Sequence, residues 1–139
     1  MAKLLLVEDH DLNRKILTKL LKKMGFIVLE AENGEESIRQ SAECEPDLIL
    51  MDINLPDIGG CQAIASIRNA EQTTHIPIIA LSAYDDSVTI EQARQSGCND
   101  FDTKPVDLER LVGKIALQLP AERIPSGAQP YIQRAEEIV

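Results

Sequence analysis

Glu8, Asp9, Asp52, Ser82 and Lys104 are the residues whose types and spacing fit phosphoryl chemistry, because each closes an apolar run. Leu4-Leu5-Leu6-Val7 stops at Glu8-Asp9, and Leu48-Ile49-Leu50-Met51 stops at Asp52. Ile78-Ile79-Ala80-Leu81 stops at Ser82, and a shorter run containing Phe101 stops at Lys104-Pro105. If these runs are parallel strands of one sheet, their ends meet at one edge. Three carboxylates, one hydroxyl and one ammonium then share a small volume.

Asp52 is the candidate nucleophile. A carboxylate with a reference pKa of about 3.9 is ionised at neutral pH and needs no base to activate it. Attack on phosphorus gives an acyl phosphate. Bare carboxylates repel an incoming phosphoryl group, so a cation must intervene. Glu8 and Asp9, with Asp52, offer hard oxygen ligands suited to Mg²⁺, which keeps several waters and binds substrate phosphate. Lys104 supplies a point charge for a phosphoryl oxygen, and Ser82 a hydrogen-bond donor for another.

The elements that must position these residues alternate along the chain. Lys3–Val7 reads as a strand, followed by a helix in which Leu12, Ile16, Leu17, Leu20, Leu21 and Met24 recur at helical spacing. Gly25 stands where the residue after a helix end belongs. Phe26–Leu29 reads as a second strand. Asn33 caps a helix running to about Cys44, with Glu36 three residues on as in a capping box. Leu48–Met51 is continuous enough for a strand buried on both faces. Leu55–Gly60 is a loop, Cys61–Ala70 a helix, Ile76–Leu81 a strand and Asp86–Ser96 a helix ending at Gly97. Asn99–Thr103 is a short fifth strand, and Asp107 caps a last helix whose stripe is Leu108, Leu111, Val112, Ile115 and Leu119. Five strand–helix pairs predict an α/β fold with a parallel sheet, helices on both faces, and ligands beyond the carboxyl ends of the strands.

Composition narrows the function. The chain has 139 residues, 44% hydrophobic and 27% charged, ordinary for one globular domain. No apolar stretch approaches the roughly 20 residues of a membrane helix, and no signal-peptide pattern opens the chain, so a cytoplasmic location without membrane contact is expected. The net charge of −9 argues against direct nucleic-acid binding. Cys44, Cys61 and Cys98 lack the spacing of a zinc site or a disulfide framework. His10 and His75 read as solvated histidines.

Together the motifs resemble the receiver domain of two-component response regulators, the chemotaxis-regulator-like fold. The resemblance covers about residues 2–119 and rests on Val7-Glu8-Asp9, Asp47–Asp52 before Leu55–Gly60, Ala80-Leu81-Ser82-Ala83, and Phe101-Asp102-Thr103-Lys104-Pro105. It implies a doubly wound, flavodoxin-like (βα)5 sheet in strand order 2-1-3-4-5. It implies Asp52 as phosphoacceptor from a sensor histidine kinase or phosphotransfer protein. Mg²⁺ would be held by Glu8, Asp9, Asp52 and the backbone carbonyl of Asn54. It further implies Lys104 as the phosphate-contacting lysine with a cis bond to Pro105, Ser82 and Phe101 as switch residues, and Asn54 and Tyr84 as residues that tune phosphoryl lifetime. Such a domain is a regulator rather than an enzyme, assisting only its own phosphorylation and dephosphorylation. Its output would be a changed face of fourth helix, fifth strand and fifth helix, read by a downstream protein. Glu-Asp in place of Asp-Asp, and Ser in place of Thr, are departures from the family pattern.

Three rival readings share the architecture. A flavin or dinucleotide carrier needs a Gly- or Ser/Thr-rich phosphate loop where this chain has Glu8-Asp9-His10-Asp11. A phosphatase of the haloacid dehalogenase type typically has a second Asp where Asn54 stands. A receiver-like interaction scaffold that works without phosphorylation would usually have lost an acid or the lysine. Residues 1–119 form the expected domain. Residues 120–139 read as a Pro- and Gly-containing linker with a short helical tail, which packs on the domain, mediates association into a homodimer, or frays. Asn13-Arg14 is similar to the first helix of receivers fed by phosphotransfer proteins.

Overall fold

The computed structural model describes the backbone of residues 1–138 and the side chains of residues 1–134. The strands are β1 (Lys3–Val7), β2 (Ile27–Ala31), β3 (Leu48–Asp52), β4 (Ile78–Ser82) and β5 (Asp100–Thr103). Between and after them run α1 (Asp11–Met24), α2 (Gly34–Cys44), α3 (Gly60–Asn69), α4 (Ser87–Ser96) and α5 (Leu108–Gln118). The strands are parallel in the order β2-β1-β3-β4-β5, as expected from the alternation and the resemblance.

Continuous apolar runs give the three central strands because both of their faces are covered. Leu4–Val7, Leu48–Met51 and Ile78–Leu81 are almost wholly buried. One face of the sheet packs Leu4, Leu6, Leu50 and Leu81 against Leu21, Leu111, Val112 and Ile115. The other packs Leu5, Ile49, Ile78 and Ala80 against Ala63, Ile64, Ile67 and Ala93. Register aligns the carboxyl ends: Val7 lies beside Met51, Asp52 beside Leu81, and Ser82 beside Thr103. Asp52 and Ser82 are the last strand residues rather than the first after the strands, and β4 begins only after Pro77.

The helix ends follow their sequence signals. Gly25 and Gly97 take the left-handed conformation that favours glycine and terminate α1 and α4. Asn33, Asp86 and Asp107 accept hydrogen bonds from Glu36, Thr89 and Arg110 N–H. The capping box at Asn33 is altered: Glu36 accepts from Glu32 N–H instead of from the cap's own backbone. Asp57, in the loop after β3, accepts from the N–H groups of Gly34 and Glu35 at 2.8 and 2.9 Å, tying that loop to α2.

The apolar stripe of α1 divides, which corrects the simple helical-spacing reading. Leu21 and Met24 are buried and Leu17 is partly buried, but Leu12, Ile16 and Leu20 are exposed. The inner face instead holds Arg14 and Thr18, because Glu30 in β2 and Glu32 just after it give them partners.

Residues 120–138 pack on the domain. Short 3₁₀ turns at Ala121–Arg123 and Ser126–Ala128 lead into α6 (Gln129–Ile138). Ile124, Ala128, Tyr131 and Ile132 extend the core on the α1–α5 side of the sheet. Gly127 lies so close to the end of α1 that a Cβ there would stand 2.2 Å from the Met24 carbonyl oxygen. Arg123 pairs with Asp47, and Arg134 with Glu109 at 3.2 Å.

Candidate functional site

The aligned strand ends bring Glu8, Asp52 and Lys104 into one buried cluster. Lys104 Nζ lies 2.6 Å from Glu8 Oε1 and 3.2 Å from Asp52 Oδ2, bridging the two carboxylates. Glu8 and Asp52 are 6% and 2% exposed, so their charges meet little solvent. The Lys104–Pro105 bond is cis.

Electrostatics separate the two acids. Burial, with a hydrogen bond to Glu8, pushes Asp52 up to about 6. Burial also opposes ionisation of Glu8, but hydrogen bonds from Lys104 and Asp52 overcome it and hold Glu8 at about 2. Burial alone would lower Lys104, yet Glu8 and Asp52 keep it above its ordinary value. The cluster holds one more negative charge than Lys104 can balance, and that deficit strains Asp52.

Asp9 sits beside this cluster, partly exposed, with Oδ1 shielded from solvent and accepting no hydrogen bond among the described residues. An orphaned carboxylate oxygen next to an under-compensated pair of acids fits a hard divalent cation. Glu8, Asp9 and Asp52 supply all-oxygen donors of the kind Mg²⁺ takes.

Of the other expected residues, Asn54 bonds Asp52 and Ser82 bonds Asn54, whereas no hydrogen bond among the described residues joins Tyr84 or Phe101 to Glu8, Asp52 or Lys104. Asn54 N–H donates to Asp52 Oδ1 at 3.0 Å, and its side chain is exposed. Ser82 is fully buried; its Oγ accepts from Tyr84 N–H at 3.0 Å and faces Asn54 Oδ1 at 3.4 Å. Tyr84 is 60% exposed. Phe101 is half-buried against the core on the α3–α4 side of the sheet. A groove of about 240 Å³ leads from Asp52 and Lys104 along Asn13, Ile16, Leu20, Pro105, Val106 and Leu108.

The sequence from residue 4 to 116 matches the family described as response regulator receiver domain. The chain belongs to that family. This receiver domain is 34% identical over 111 residues to the polar-differentiation response regulator DivK of Brucella anthropi, covering 80% of this chain and 90% of the relative. The receiver domain of the sensor histidine kinase PA1611 of Pseudomonas aeruginosa is 32% identical at a TM-score of 0.79, over 84% of this chain and 96% of that one. Its structure has a magnesium ion coordinated in the active-site cleft. The co-crystal structure of the Saccharomyces cerevisiae histidine phosphotransfer protein Ypd1 with the receiver domain of Ssk1 matches at 34% identity and a TM-score of 0.77, over 83% of this chain and 86% of that one. Receiver domains are regulators of two-component signalling, and no helix among the described residues is long and apolar enough to cross a membrane.

Two charged features of this receiver domain escaped the sequence reading. Arg14, 3% exposed, donates to the Glu8 carbonyl oxygen at 2.9 Å and pairs with Asp11, Glu30 and Glu32, anchoring the end of β1 from behind. Asn13-Arg14 was the only signal for it. Asp102, also buried, pairs with Arg110 at 2.6 Å, while Lys114 donates to the Phe101 carbonyl oxygen at 2.8 Å. These two cations fasten edge strand β5, and with it Phe101, to α5. Alternation of Asp with Phe and Thr in β5 disguised a buried acid as a surface one.

Proposed function

We propose that this chain is a phosphorylation-driven switch. Asp52 takes a phosphoryl group from a histidine kinase or phosphotransfer protein, and the surface of α4, β5 and α5 then changes to control a protein partner. The observation that carries this reading is Lys104 bridging Glu8 and Asp52 beside the orphaned Asp9 oxygen.

A carboxylate oxygen of Asp52 attacks phosphorus, the bond to the donor imidazole breaks, and the electron pair returns to that ring. Glu8, Asp9, Asp52 and the Asn54 carbonyl would hold Mg²⁺, which would supply charge neutralisation and orientation for the phosphoryl oxygens. Lys104 turns from its two carboxylate partners toward a phosphoryl oxygen. Catalysis is mostly positioning, since the transition state for phosphoryl transfer is loose. The acyl phosphate brings further negative charge and new acceptor oxygens. Ser82 already has its oxygen engaged by Tyr84 N–H and its hydroxyl turned toward Asn54. Its movement to the phosphoryl group loosens the loop carrying Tyr84 and leaves room for Phe101 to turn inward. Phosphorylation shifts populations between these two arrangements. Exposed Asn54 and Tyr84 flank the path of the attacking water and set the phosphoryl lifetime.

The exposed stripe of Leu12, Ile16 and Leu20 supports a docking role for α1. Large apolar side chains left in water beside an active site mark contact surfaces, and Ile16 and Leu20 of this stripe line the groove leading to Asp52. A helical phosphotransfer protein, the kind of partner Ypd1 is to Ssk1, suits it.

Beryllofluoride with Mg²⁺ mimics the acyl phosphate without a donor. The expected result is a Mg²⁺-dependent change in the amide resonances of Ser82, Phe101 and α4, absent in Asp52→Ala. An unresponsive wild type, or an identical response in the variant, sinks the switch and leaves a scaffold that works without phosphorylation.

A further inference from the structure

β5 is the last strand of the sheet, so one of its edges has no neighbouring strand. Side chains close that edge in two matching units. Phe101 N–H donates to Asp100 Oδ1 at 2.8 Å, and the Phe101 carbonyl oxygen accepts from Lys114 Nζ at 2.8 Å. Thr103 N–H donates to Asp102 Oδ1 at 2.9 Å, and the Thr103 carbonyl oxygen accepts from Arg110 Nη2 at 3.3 Å. In each unit the acid also pairs with the cation, Asp100 with Lys114 at 3.3 Å and Asp102 with Arg110 at 2.6 Å. The match is geometric: four residues of helix rise about 6 Å, and two residues of strand about 6.6 Å.

The second unit adjoins the phosphoryl pocket. The peptide bond between Thr103 and Lys104 is held at both ends, its carbonyl by Arg110 and its N–H by the Ser82 carbonyl oxygen at 2.8 Å. Asp107 accepts from Arg110 N–H at 3.0 Å and fixes the turn of α5 from which Arg110 reaches back. Lys104 follows at once, with its Nζ between Glu8 and Asp52. Asp102 is 3% exposed, and its Oδ2 is buried with no hydrogen-bond partner among the described residues. An apolar side chain there would avoid the cost of that oxygen. Packing therefore does not account for the acid, whereas its hold on Arg110 does.

We propose that Arg110, anchored on Asp102, is a positioning residue for Lys104. It fixes the plane of the peptide bond entering the lysine, and so the direction in which the lysine leaves β5 toward Asp52. Lys114, bound to the carbonyl two residues earlier, fastens the same strand without touching that peptide bond. This inference rests on the switch reading for its consequence in phosphoryl transfer, but its geometry stands without it.

Arg110→Gln and Asp102→Leu test it, with Lys114→Gln as the control that opens the same edge one helical turn away. Two quantities are measured on the full chain. One is the rate at which acetyl phosphate with Mg²⁺ labels Asp52. The other is the NMR resonance of the Lys104 ammonium group in metal-free protein. In Arg110→Gln and Asp102→Leu, labelling should slow about tenfold or more, and the ammonium resonance should move toward those of exposed lysines. Lys114→Gln should match wild type in both. An unmoved ammonium resonance in Arg110→Gln, labelling there at the wild-type rate, or equal losses in Lys114→Gln overturns the proposal. A displaced resonance in Arg110→Gln where wild type itself takes no label upholds the positioning and removes the switch reading instead.

Discussion

Lys104 Nζ and Glu8 Oε1 form a 2.6 Å ion pair across 96 positions of sequence, joining the ends of β1 and β5 beneath the phosphoacceptor. Breaking it leaves Glu8 and Asp52 facing each other without a cation. Lys104→Met should lower stability by about 1–3 kcal/mol near neutral pH, since an uncompensated buried charge is costly. Mg²⁺ should restore part of the loss. Urea denaturation with and without Mg²⁺ checks both, and a metal-independent loss would show that the lysine acts through packing alone.

Asp52 makes its own pH signature. Its pKa rises from 3.8 to about 6 on folding, so over that interval the folded state binds more protons than the unfolded one. Stability contributed by this group therefore declines as pH rises from about 4 to about 6. Asp52→Asn escapes the decline and should be more stable than wild type by about 1–3 kcal/mol at pH 7, the gap closing below about pH 4. Glu8 acts in the opposite sense: its stabilisation is present above 4.5 and fades as pH falls toward about 2. Denaturation of wild type and Asp52→Asn across this range reads the difference directly.

The exposed stripe of α1 predicts a split between chemistry and docking. Ile16 is 50% exposed, so Ile16→Ser should change stability by no more than about 0.5 kcal/mol. Phosphoryl transfer from a protein donor should slow about tenfold or more, while the beryllofluoride response stays as in wild type. Unchanged transfer would move the donor surface away from α1.

Gly127 predicts how the tail is held. A methyl group there collides with the Met24 carbonyl oxygen, a backbone atom at the end of α1 that cannot swing aside. Gly127→Ala should lift residues 120–138 from the α1–α5 side. Hydrogen exchange should quicken in α6 while the amides of β1 and β3 stay protected. Equal protection throughout would mean that α1 shifts to accommodate the methyl group.

The sheet and the site were legible because their signals are local. Leu48–Met51 and Ile78–Leu81 are continuous apolar runs, and a parallel sheet forces their polar successors to one edge. Arg14 was not legible as a buried residue, since its burial depends on Glu30 and Glu32 arriving from β2. The same non-local compensation turned Leu12, Ile16 and Leu20 outward against the helical pattern. Asp102 owes its burial to Arg110 one element later. In the tail, Pro120, Pro125 and Gly127 read as linker, and only the fit of Pro125 and Gly127 against Gly25 and Met24 shows that the segment docks.

The whole switch depends on Asp52 accepting the phosphoryl group. Incubation with acetyl phosphate and Mg²⁺, followed by mass spectrometry of intact protein and peptides, tests it most directly. Wild type should carry one hydroxylamine-labile phosphoryl group on Asp52, lost in Asp52→Asn and without Mg²⁺. Label retained in Asp52→Asn, or no label in wild type with Mg²⁺ present, would contradict it.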